Sequence, residues 1–250
     1  MKSIWITGAS SGIGKAVALK FANEGWQVAA SARREDLLNK IAESNENISS
    51  FSLDVTNSEK CKDVFEQIKN KLKSIDICFF STGTWDPKKE KEIDIDQMKK
   101  VMNVNFFGTL NCIKAVEKYF REKNSGHISI VSSIAGYRGL PNSTGYGASK
   151  AALNNLAESL YFDFGRNNVR VSLVSPGFIK TQMTDKNQFK MPFLKTAEYA
   201  ADKINKGLIN GSSFEIDFPK ELTLILKFLK ILPDSLYFKI IKKLTKYQKR

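Results

Sequence analysis

The sequence predicts an α/β fold in which seven parallel strands form a doubly wound sheet with helices on both faces. Short apolar runs rich in β-branched and aromatic residues alternate with longer segments of helical periodicity, from residue 3 to residue 218. Strands joined through helices run parallel, and right-handed crossovers place those helices on both faces of the sheet. With 42% hydrophobic and 26% charged residues, the chain can bury a core of the size that this fold requires.

The order of the elements follows from the same patterns. The first strand is "SIWIT" at 3–7, and the helix after it, 12–24, stops at Gly25. The other predicted strands are 26–32, 48–55, 75–82, 126–133, 169–177 and 213–218, and the other predicted helices are 34–44, 58–72, 95–123, 145–167 and 196–208. The stretch 180–195 is irregular, and we expect either a mobile lid or a pair of short helices there.

Positive charge is concentrated at the C-terminal end of the chain. The net charge is +13, of which residues 219–250 contribute +7 through nine basic and two acidic residues. This asymmetry indicates an anionic partner for the C-terminal stretch rather than a basic body. We therefore divide the chain into a domain at 1–218 and a basic amphipathic helical extension at 219–250.

The extension contains two helical patterns separated by Pro233. Leu222, Leu226 and Leu229 recur at helical spacing in the first, and Asp234 or Ser235 can cap the second. The second has an apolar face and a basic face, formed by Leu236, Ile240, Leu244 and Tyr247 and by Lys239, Lys243 and Lys246. Neither helix has the ~20 apolar residues of a membrane span. Two alternatives stay open: peripheral contact with an anionic membrane, or packing on the protein's own cleft or a neighbouring subunit. No nucleic-acid partner is expected.

Cysteine and histidine usage narrows the chemistry. The three cysteines form no C-x-x-C pair, which favours reduced thiols in a cytoplasmic protein over disulfides or a zinc site. The first residues do not resemble a targeting signal. His127 is the single histidine, so we expect no histidine-based metal site and no Ser-His-Asp triad, and we assign His127 a structural role.

The segment "TGASSGIG" at 7–14 lies between the first strand and the first helix, where a dinucleotide-binding loop is found. Gly8, Gly12 and Gly14 permit a tight turn and close approach of the backbone to a pyrophosphate. The helix N-terminus and the hydroxyls of Ser10 and Ser11 supply hydrogen-bond donors. A merely structural glycine-rich turn is the alternative, and its position in the strand-to-helix connection argues against it.

The end of the second strand indicates which dinucleotide is preferred. An acidic residue at that point usually binds the ribose 2′-hydroxyl of NAD, but this chain has "SARRED", with Arg33 and Arg34. A guanidinium suits a 2′-phosphate, which favours NADP(H), with NAD(H) as the alternative cofactor. Two solvated arginines at the start of a helix would give the same pattern.

A tyrosine followed four residues later by a lysine occurs three times in the chain. On a helix this spacing places a phenol and an ammonium on one face, where they can act together in proton transfer. The pairs are Tyr119/Lys123, Tyr146/Lys150 and Tyr199/Lys203. The spacing alone does not decide which pair is functional.

Taken together, these stretches resemble the short-chain dehydrogenase/reductase family, and the resemblance extends to about residue 218. The motifs that carry it are "TGASSGIG", "LDV" at 53–55, "NVNFFGT" at 103–109, "IVSSIAG" at 130–136, "YGASK" at 146–150 and "SPGFIKT" at 175–181. The family places a serine 13 residues before its Tyr-x-x-x-Lys motif, and Ser133 has this position relative to Tyr146. The resemblance therefore implies a Rossmann-like catalytic domain at 1–218 and selects Tyr146; Tyr119 and Tyr199 are expected to be helix-surface residues.

The resemblance also implies the catalytic roles. Tyr146 exchanges a proton with the substrate oxygen as hydride moves between nicotinamide and carbon. Lys150 lowers the phenol pKa, which is ordinarily near ~10, and binds the nicotinamide ribose. Ser133 holds the substrate oxygen, and Asn105 anchors a water that links Lys150 to solvent.

The cofactor-binding set implied in the same way extends along the chain. Asp54 and Val55 contact adenine, and Thr181 contacts the carboxamide end. The full set is Gly8, Ser10, Ser11, Gly12, Ile13, Gly14, Arg33, Arg34, Asp54, Val55, Gly83, Tyr146, Lys150, Pro176, Gly177, Ile179 and Thr181. One departure concerns the fourth strand: the family usually continues with Asn-Asn-Ala-Gly, whereas this chain has Phe80-Ser81-Thr82-Gly83. Another polar group must then brace the sheet, or local rigidity is lower.

The expected function is NADPH-dependent reduction of a ketone or aldehyde. A lipophilic substrate such as a 3-oxoacyl chain or a keto-lipid is expected if the extension meets lipid, with Met183, Phe189, Met191 and Phe193 able to line the cleft. The alternatives are an NAD(P)⁺-dependent alcohol or hydroxysteroid-type dehydrogenase, and a non-catalytic cofactor-binding scaffold at the membrane surface. Family members commonly form homodimers or homotetramers.

Overall fold

The computed structural model describes residues 2–86, 93–187 and 190–245. Its strands are β1 (Ser3–Thr7), β2 (Gln27–Ala32), β3 (Ile48–Ser52), β4 (Ile77–Phe80), β5 (Gly126–Val131), β6 (Val169–Pro176) and β7 (Glu215–Phe218). They form one parallel sheet in the order β3-β2-β1-β4-β5-β6-β7. The predicted fold class is confirmed. The strand order reverses between β1 and β4, and ligands of such sheets bind at the crevice outside the carboxyl ends of these two strands.

Helices connect the strands and extend beyond the last one. They are α1 (Gly12–Asn23), α2 (Glu35–Glu43), α3 (Ser58–Leu72), α4 (Ile95–Met102), α5 (Gly108–Lys123), α6 (Thr144–Gly165), α7 (Ala197–Ile209), α8 (Lys220–Lys230) and α9 (Asp234–Leu244). Among the described residues, no helix is both long and apolar enough to cross a membrane.

Each face of the sheet has its own apolar core, because alternate residues of a strand point to opposite faces. In β1, Ile4 and Ile6 pack with α1, α2 and α7, whereas Trp5 packs with α3, α5 and α6 on the other side. Trp5 is fully buried and its indole N–H donates to Ser31 Oγ at 2.9 Å. The central strand β4, "ICFF", is buried and apolar on both faces for this reason, which is the pattern expected within a parallel sheet.

One predicted helix is interrupted. The sequence predicts a continuous helix over 95–123, but the structure contains a π-helical segment, Asn103–Phe107, between α4 and α5. The wider turn inserts an extra residue into the helical register and redirects the side chains around it. Such segments often occur at functional sites. Helical periodicity in the sequence does not report a single extra residue, so the interruption was not predicted.

The described part of segment 180–195 does not form a pair of short helices, and the mobile lid stays a prediction. One 3₁₀ turn, Thr184–Lys186, lies within it. Its two ends are joined because Lys180 N–H donates to the carbonyl of Lys195 at 2.8 Å, and Lys195 N–H donates to that of Phe178 at 3.0 Å. Phe189, which we expected in the cleft, lies outside the described residues.

The extension folds as the two predicted helices, with differences at the cap and at the inward face. Pro233 is the N-cap of α9, and the carboxylate of Asp234 pairs with Arg138 instead of capping the helix. The inward face of α9 is formed by Tyr237 and Ile241, which pack with Leu229 of α8. On the predicted apolar face, Leu236 and Leu244 are exposed. Lys246 and Tyr247, also assigned to faces of this helix, lie outside the described residues.

Candidate active site

The turn after β1 has the close packing that a phosphate-binding loop needs. A methyl group on Gly8 would lie 2.9 Å from Thr82 N, and Gly8 has a φ of +71°. A methyl group on Gly14 would lie 2.8 Å from Ser81 Oγ, so only hydrogen fits at either position. The turn therefore brings backbone N–H groups to the open end of α1, where the first turn has no intrahelical acceptors.

Arg34 lies across this turn. Its guanidinium donates to Ser10 Oγ at 2.9 Å, to Ser11 Oγ at 2.6 Å and to Gln182 Oε1 at 3.3 Å. Ser11 is the N-cap residue of α1, yet its hydroxyl makes no capping hydrogen bond within the described residues. A guanidinium and two hydroxyls at a helix N-terminus form a donor set that suits a phosphate. These residues fit the phosphate groups of a dinucleotide.

The side of the cleft where the resemblance implies adenine binding follows the ends of β2 and β3. Arg33 Nη1 lies 3.8 Å from the carboxylate of Asp54, and both side chains are substantially exposed. The same carboxylate accepts from the backbone N–H of Thr56 at 3.0 Å, which fixes its direction. Arg33 and Asp54 therefore form one wall, with Val55 beside them.

One cleft brings together most of the predicted cofactor residues. Those that line it are Gly8, Ser10, Ser11, Gly12, Ile13, Gly14, Arg33, Arg34, Asp54, Val55, Gly83 and Thr181. Its walls also include residues that sequence reasoning missed: Ala32, Leu53, Ser81, Thr82, Val104, Val131, Gln182 and Met183, the last of which we had considered only for substrate. Several of these contribute small or apolar surface with no motif to mark them.

Five predicted cofactor residues do not line this cleft: Tyr146 and Lys150, which are described below, and Pro176, Gly177 and Ile179. Ile179 is 2% exposed and belongs to the apolar core beside α7. Pro176 ends β6 opposite Phe218, and a methyl group on Gly177 would lie 3.0 Å from Leu222. The C-terminal extension packs against this end of β6. The family resemblance ends near residue 218, so it could not predict this contact.

The departure after β4 has a local replacement. Ser81 Oγ donates to the carbonyl of Thr7 at 2.6 Å and so ties the end of β4 to the end of β1. A short hydroxyl here performs the bracing that the missing asparagine side chain would supply. Gly83 then passes close to the inner groups, because a methyl group on it would lie 3.7 Å from Lys150 Nζ.

Asn105 lies in the π-helical segment and is fully buried. Its Oδ1 accepts from the backbone N–H of Thr84 at 2.7 Å, and its Nδ2 donates to the carbonyl of Thr84 at 3.1 Å. Nδ2 also donates to Ser149 Oγ of α6 at 3.0 Å. The carboxamide therefore joins the loop after β4 to the helix that carries Tyr146. The water link assigned to Asn105 stays a prediction.

Ser133 follows β5 at the start of a 3₁₀ turn, Ile134–Gly136. Its Oγ accepts from the backbone N–H of Ala135 at 3.2 Å, which leaves the hydroxyl proton available for another acceptor. The turn lies directly against α6, because a methyl group on Gly136 would come within 2.8 Å of the carbonyl of Lys150. Ser132 Oγ donates to that same carbonyl at 3.0 Å.

Lys150 is the buried cation of the site. Its ammonium donates to the carbonyl of Val131 at 2.9 Å and lies 5.6 Å from the centre of the Tyr146 ring. The residue is 3% exposed, and burial lowers its pKa to about 8, since desolvation disfavours the charged form. Val131 and Gly83 both line the cleft, so Lys150 adjoins the inner end of that cleft. At neutral pH the protonated form still predominates.

Trp85 is a further neighbour that sequence reasoning missed. Its ring lies 5.3 Å from that of Tyr146, with an interplanar angle of 31°. Its indole nitrogen is buried and has no hydrogen-bond partner among the described residues. An aromatic residue two positions after Gly83 was the available signal. Trp85 thus gives the Tyr146 ring an apolar neighbour, and its indole N–H is a buried hydrogen-bond donor close to that ring.

The other two Tyr/Lys pairs have different surroundings. The hydroxyl of Tyr119 accepts from the backbone N–H of Ile75 at 2.9 Å, and Lys123 donates to the carbonyl of Ile75 at 2.8 Å. Tyr119 is half-buried rather than a surface residue, because this hydrogen bond holds it between α5 and the start of β4. Tyr119, Tyr146 and Tyr199 are all absent from the cleft lining, but Lys150, the partner of Tyr146, bonds to Val131, which does line it.

His127 lies within β5 and is 6% exposed. Its Nε2 is 2.7 Å from Ser172 Oγ on the neighbouring β6, and burial lowers its pKa to about 3. A neutral imidazole bonded between two strands of the core has a structural role, in line with the expectation from sequence.

Comparison with known proteins agrees with this geometry. The family model of the short chain dehydrogenases matches residues 2–191. An uncharacterized oxidoreductase of Myxococcus xanthus is 31% identical, over 93% of this chain and 93% of its own. A 3-oxoacyl-acyl-carrier-protein reductase of Thermotoga maritima is 34% identical, over 72% of this chain and 75% of its own. The chain therefore belongs to the short-chain dehydrogenase family, oxidoreductases that act on CH–OH and C=O groups with NAD(H) or NADP(H).

Two solved structures support the same fold. The structure of ElxO with NADP bound has a TM-score of 0.75 and 29% sequence identity, covering 86% of this chain and 97% of that chain. A short-chain dehydrogenase from Streptomyces avermitilis has a TM-score of 0.81 at 21% identity, covering 100% of this chain and 99% of that one.

Proposed function

We propose that this protein is an NADPH-dependent reductase that converts a ketone or aldehyde to the alcohol, with Tyr146 as the proton donor. The observation that carries the proposal is the position of Lys150, a buried ammonium fixed to the Val131 carbonyl beside the Tyr146 ring. A charged group held there without solvent stabilises the phenolate that forms when Tyr146 gives up its proton.

The roles of the chain's own residues follow from this placement. Nicotinamide, when bound, supplies the hydride that adds to the carbonyl carbon. Tyr146 transfers its proton to the carbonyl oxygen, and Ser133 donates a hydrogen bond that orients that oxygen. Asn105 holds the loop after β4 against α6, so that the two sides of the site keep their separation. The alcohol then leaves, and Tyr146 regains a proton from solvent.

NADP(H) is the proposed cofactor because Arg34 and two serine hydroxyls meet at the N-terminus of α1. The ElxO structure, which has NADP bound, is similar in sequence and fold. Replacing Arg34 by alanine removes the guanidinium and is expected to raise the KM for NADPH about tenfold or more, since hydrogen bonds to charged groups contribute roughly 1.5–3 kcal/mol. The KM for NADH should change little, and Arg166→Ala, at an exposed site, is the matched control. Equal effects on both cofactors would contradict the assignment.

A lipophilic carbonyl compound is the proposed substrate class. Trp85 beside Tyr146, together with Met183 on the wall of the cleft, provides apolar surface near the reacting groups. The Thermotoga maritima relative is a 3-oxoacyl reductase, which suggests an oxoacyl compound as the first probe. Reduction rates should rise with acyl chain length; rates insensitive to chain length, with good turnover of small polar ketones, would contradict the proposal.

The protein is proposed to work in the cytoplasm, which suits its three free, buried cysteines.

Tyr146→Phe tests the reaction itself. NADPH oxidation in the presence of a carbonyl panel should fall by roughly 10²–10⁴-fold, the usual contribution of a general acid. The matched control is Tyr199→Phe, which removes a phenol from another Tyr/Lys pair and should leave the rate unchanged. NADPH binding, followed by fluorescence, should persist in both variants. Full activity of Tyr146→Phe would contradict the mechanism, and no turnover by the wild type on any carbonyl would favour the scaffold alternative.

A further inference from the structure

The helix pair α8–α9 presents apolar side chains to solvent. Seven large apolar residues between 224 and 244 are exposed by 44–77%: Leu224, Ile225, Phe228, Ile231, Leu236, Phe238 and Leu244. Leu224, Phe228 and Ile231 follow one another at i, i+4 and i+7, so they form one stripe along α8. The opposite face of α8 is buried through Leu222 and Leu229. An apolar stripe of this size on a protein surface indicates an interaction site.

Lysines flank the stripe and cover the outward side of α9. Lys220 and Lys227 pair with carboxylates of β7: Lys220 Nζ lies 2.6 Å from Asp217, and Lys227 Nζ lies 2.7 Å from Glu215. Four more lysines are exposed, and none of them forms an ion pair within the described residues: Lys230, Lys239, Lys242 and Lys243. The helix pair thus combines exposed apolar side chains with uncompensated positive charge.

The pair is held firmly to the body of the protein. Arg138 donates to the carbonyls of Leu229, Lys230 and Leu232 at 2.8–3.2 Å, where the last turn of α8 leaves acceptors unpaired. The same guanidinium pairs with Asp234 and lies 3.9 Å from the Tyr237 ring centre.

The attachment reaches the loop between the two predicted catalytic residues. Tyr237 donates to the carbonyl of Gly139 at 2.8 Å, and Leu140 packs against the α8–α9 contact. These residues lie in the chain between Ser133 and Tyr146. The orientation of the helix pair is therefore fixed relative to this side of the active site.

We propose that α8 and α9 form a docking surface for an anionic lipid bilayer. The exposed stripe of α8 enters the boundary between headgroups and acyl chains, and the lysines of the pair bind anionic headgroups. A second copy of the chain is a poorer occupant, since a two-fold contact brings together two copies of the same positively charged surface. The proposal is independent of the reaction, because it concerns only where the protein lies.

Co-sedimentation of the full chain with vesicles tests the docking. Vesicles of phosphatidylcholine alone are compared with vesicles that also contain phosphatidylglycerol, at low and at high salt. The protein should pellet with the anionic vesicles, and high salt should weaken the binding. The double variant Phe228→Ser/Ile231→Ser should lower the partition coefficient at least tenfold, as should Lys242→Glu/Lys243→Glu.

Matched controls separate this surface from exposed residues elsewhere. Ile95→Ser removes a 64% exposed side chain at the start of α4, and Lys60→Glu/Lys71→Glu reverses two exposed lysines of α3. Both controls should pellet as the wild type does, and thermal unfolding should show that every variant is folded. Recovery of the wild type in the supernatant with both kinds of vesicle overturns the proposal. Dissociation of a wild-type oligomer by the Phe228→Ser/Ile231→Ser change, without vesicle binding, also overturns it in favour of a second copy.

Discussion

The charge on Lys150 depends on how little water reaches it. The ammonium donates to the Val131 carbonyl and is buried by the surrounding protein, which lowers its pKa to about 8. A lysine on the surface would keep its charge far into the alkaline range. Burial thus makes the cation effective towards Tyr146 and also sensitive to pH, because the same low polarity strengthens the attraction and penalises the charge.

This burial predicts the alkaline limit of the reaction. The proposed reduction requires the charged form of Lys150, and the fraction in that form falls as pH rises through its pKa. The value of kcat/KM for the carbonyl, which reports the form of the enzyme that binds the carbonyl, should therefore decline above about pH 8. The measurement is a kcat/KM profile from pH 6 to pH 10 with NADPH saturating, and Lys203→Met, in the Tyr199 pair, should leave the profile unchanged. A profile that is flat up to pH 10 would contradict the assigned role.

The 3₁₀ turn after β5 connects Ser133 to helix α6, which carries Tyr146 and Lys150. It carries Ser133 at its start and Gly136 at its end, where it touches the backbone of α6 at Lys150. The π-helical segment makes the corresponding connection on the other side, through Asn105 and Ser149. Helix α6 is therefore held between two short irregular elements, by a backbone contact at Gly136 and by the side-chain hydrogen bond from Asn105 to Ser149.

Gly136→Ala should disturb this arrangement. The added methyl group would come within 2.8 Å of the Lys150 carbonyl, so either the turn or the helix must shift. We expect the free energy of unfolding to fall by about 1–3 kcal/mol, as for other overpacked positions, and kcat to fall with it. Chemical denaturation and steady-state kinetics measure the two effects. Gly139→Ala is the matched control, because a methyl group there meets no atom within 4 Å. Equal stability of the two variants would show that the contact at Gly136 is not restrictive.

Exposed aromatic residues also occur outside the extension, on the C-terminal half of α6 (the α6 surface) and just before α5. Phe162 and Tyr161 at the C-terminal half of α6 are 69% and 50% exposed, and Phe107 before α5 is 49% exposed. Helix α6 also carries Tyr146, so contact between copies through this helix would stabilise the site indirectly. The expectation that the protein forms a homodimer or homotetramer fits this surface better than the lysine-rich extension.

The α6 surface gives a prediction about assembly. Light scattering coupled to gel filtration should show a dimer or tetramer for the wild type, and Phe162→Ser should shift it towards a smaller species. The change removes apolar area from the proposed contact, which is the main source of its stability. Phe228→Ser in the extension should leave the mass unchanged. A wild-type monomer, or a mass unaffected by Phe162→Ser, would contradict the prediction.

The sequence by itself determined the sheet, its connections and the residues that meet at its carboxyl edge. Strand and helix patterns are local, and a parallel sheet follows from their alternation, so the glycine-rich turn after the first strand could be located without coordinates. The Tyr146/Lys150 pair was selected among three such pairs only by the resemblance to the family. Tertiary structure decided which groups share an environment. Four contacts join distant parts of the chain. They are the hydrogen bond from Ser81 to Thr7, the packing of Trp85 against Tyr146, the hydrogen bonds from Arg34 to Ser10 and Ser11, and the packing of Ile179 in the core. These contacts depend on how the helices and strands pack together, and the spacing of residues along the sequence does not predict that packing.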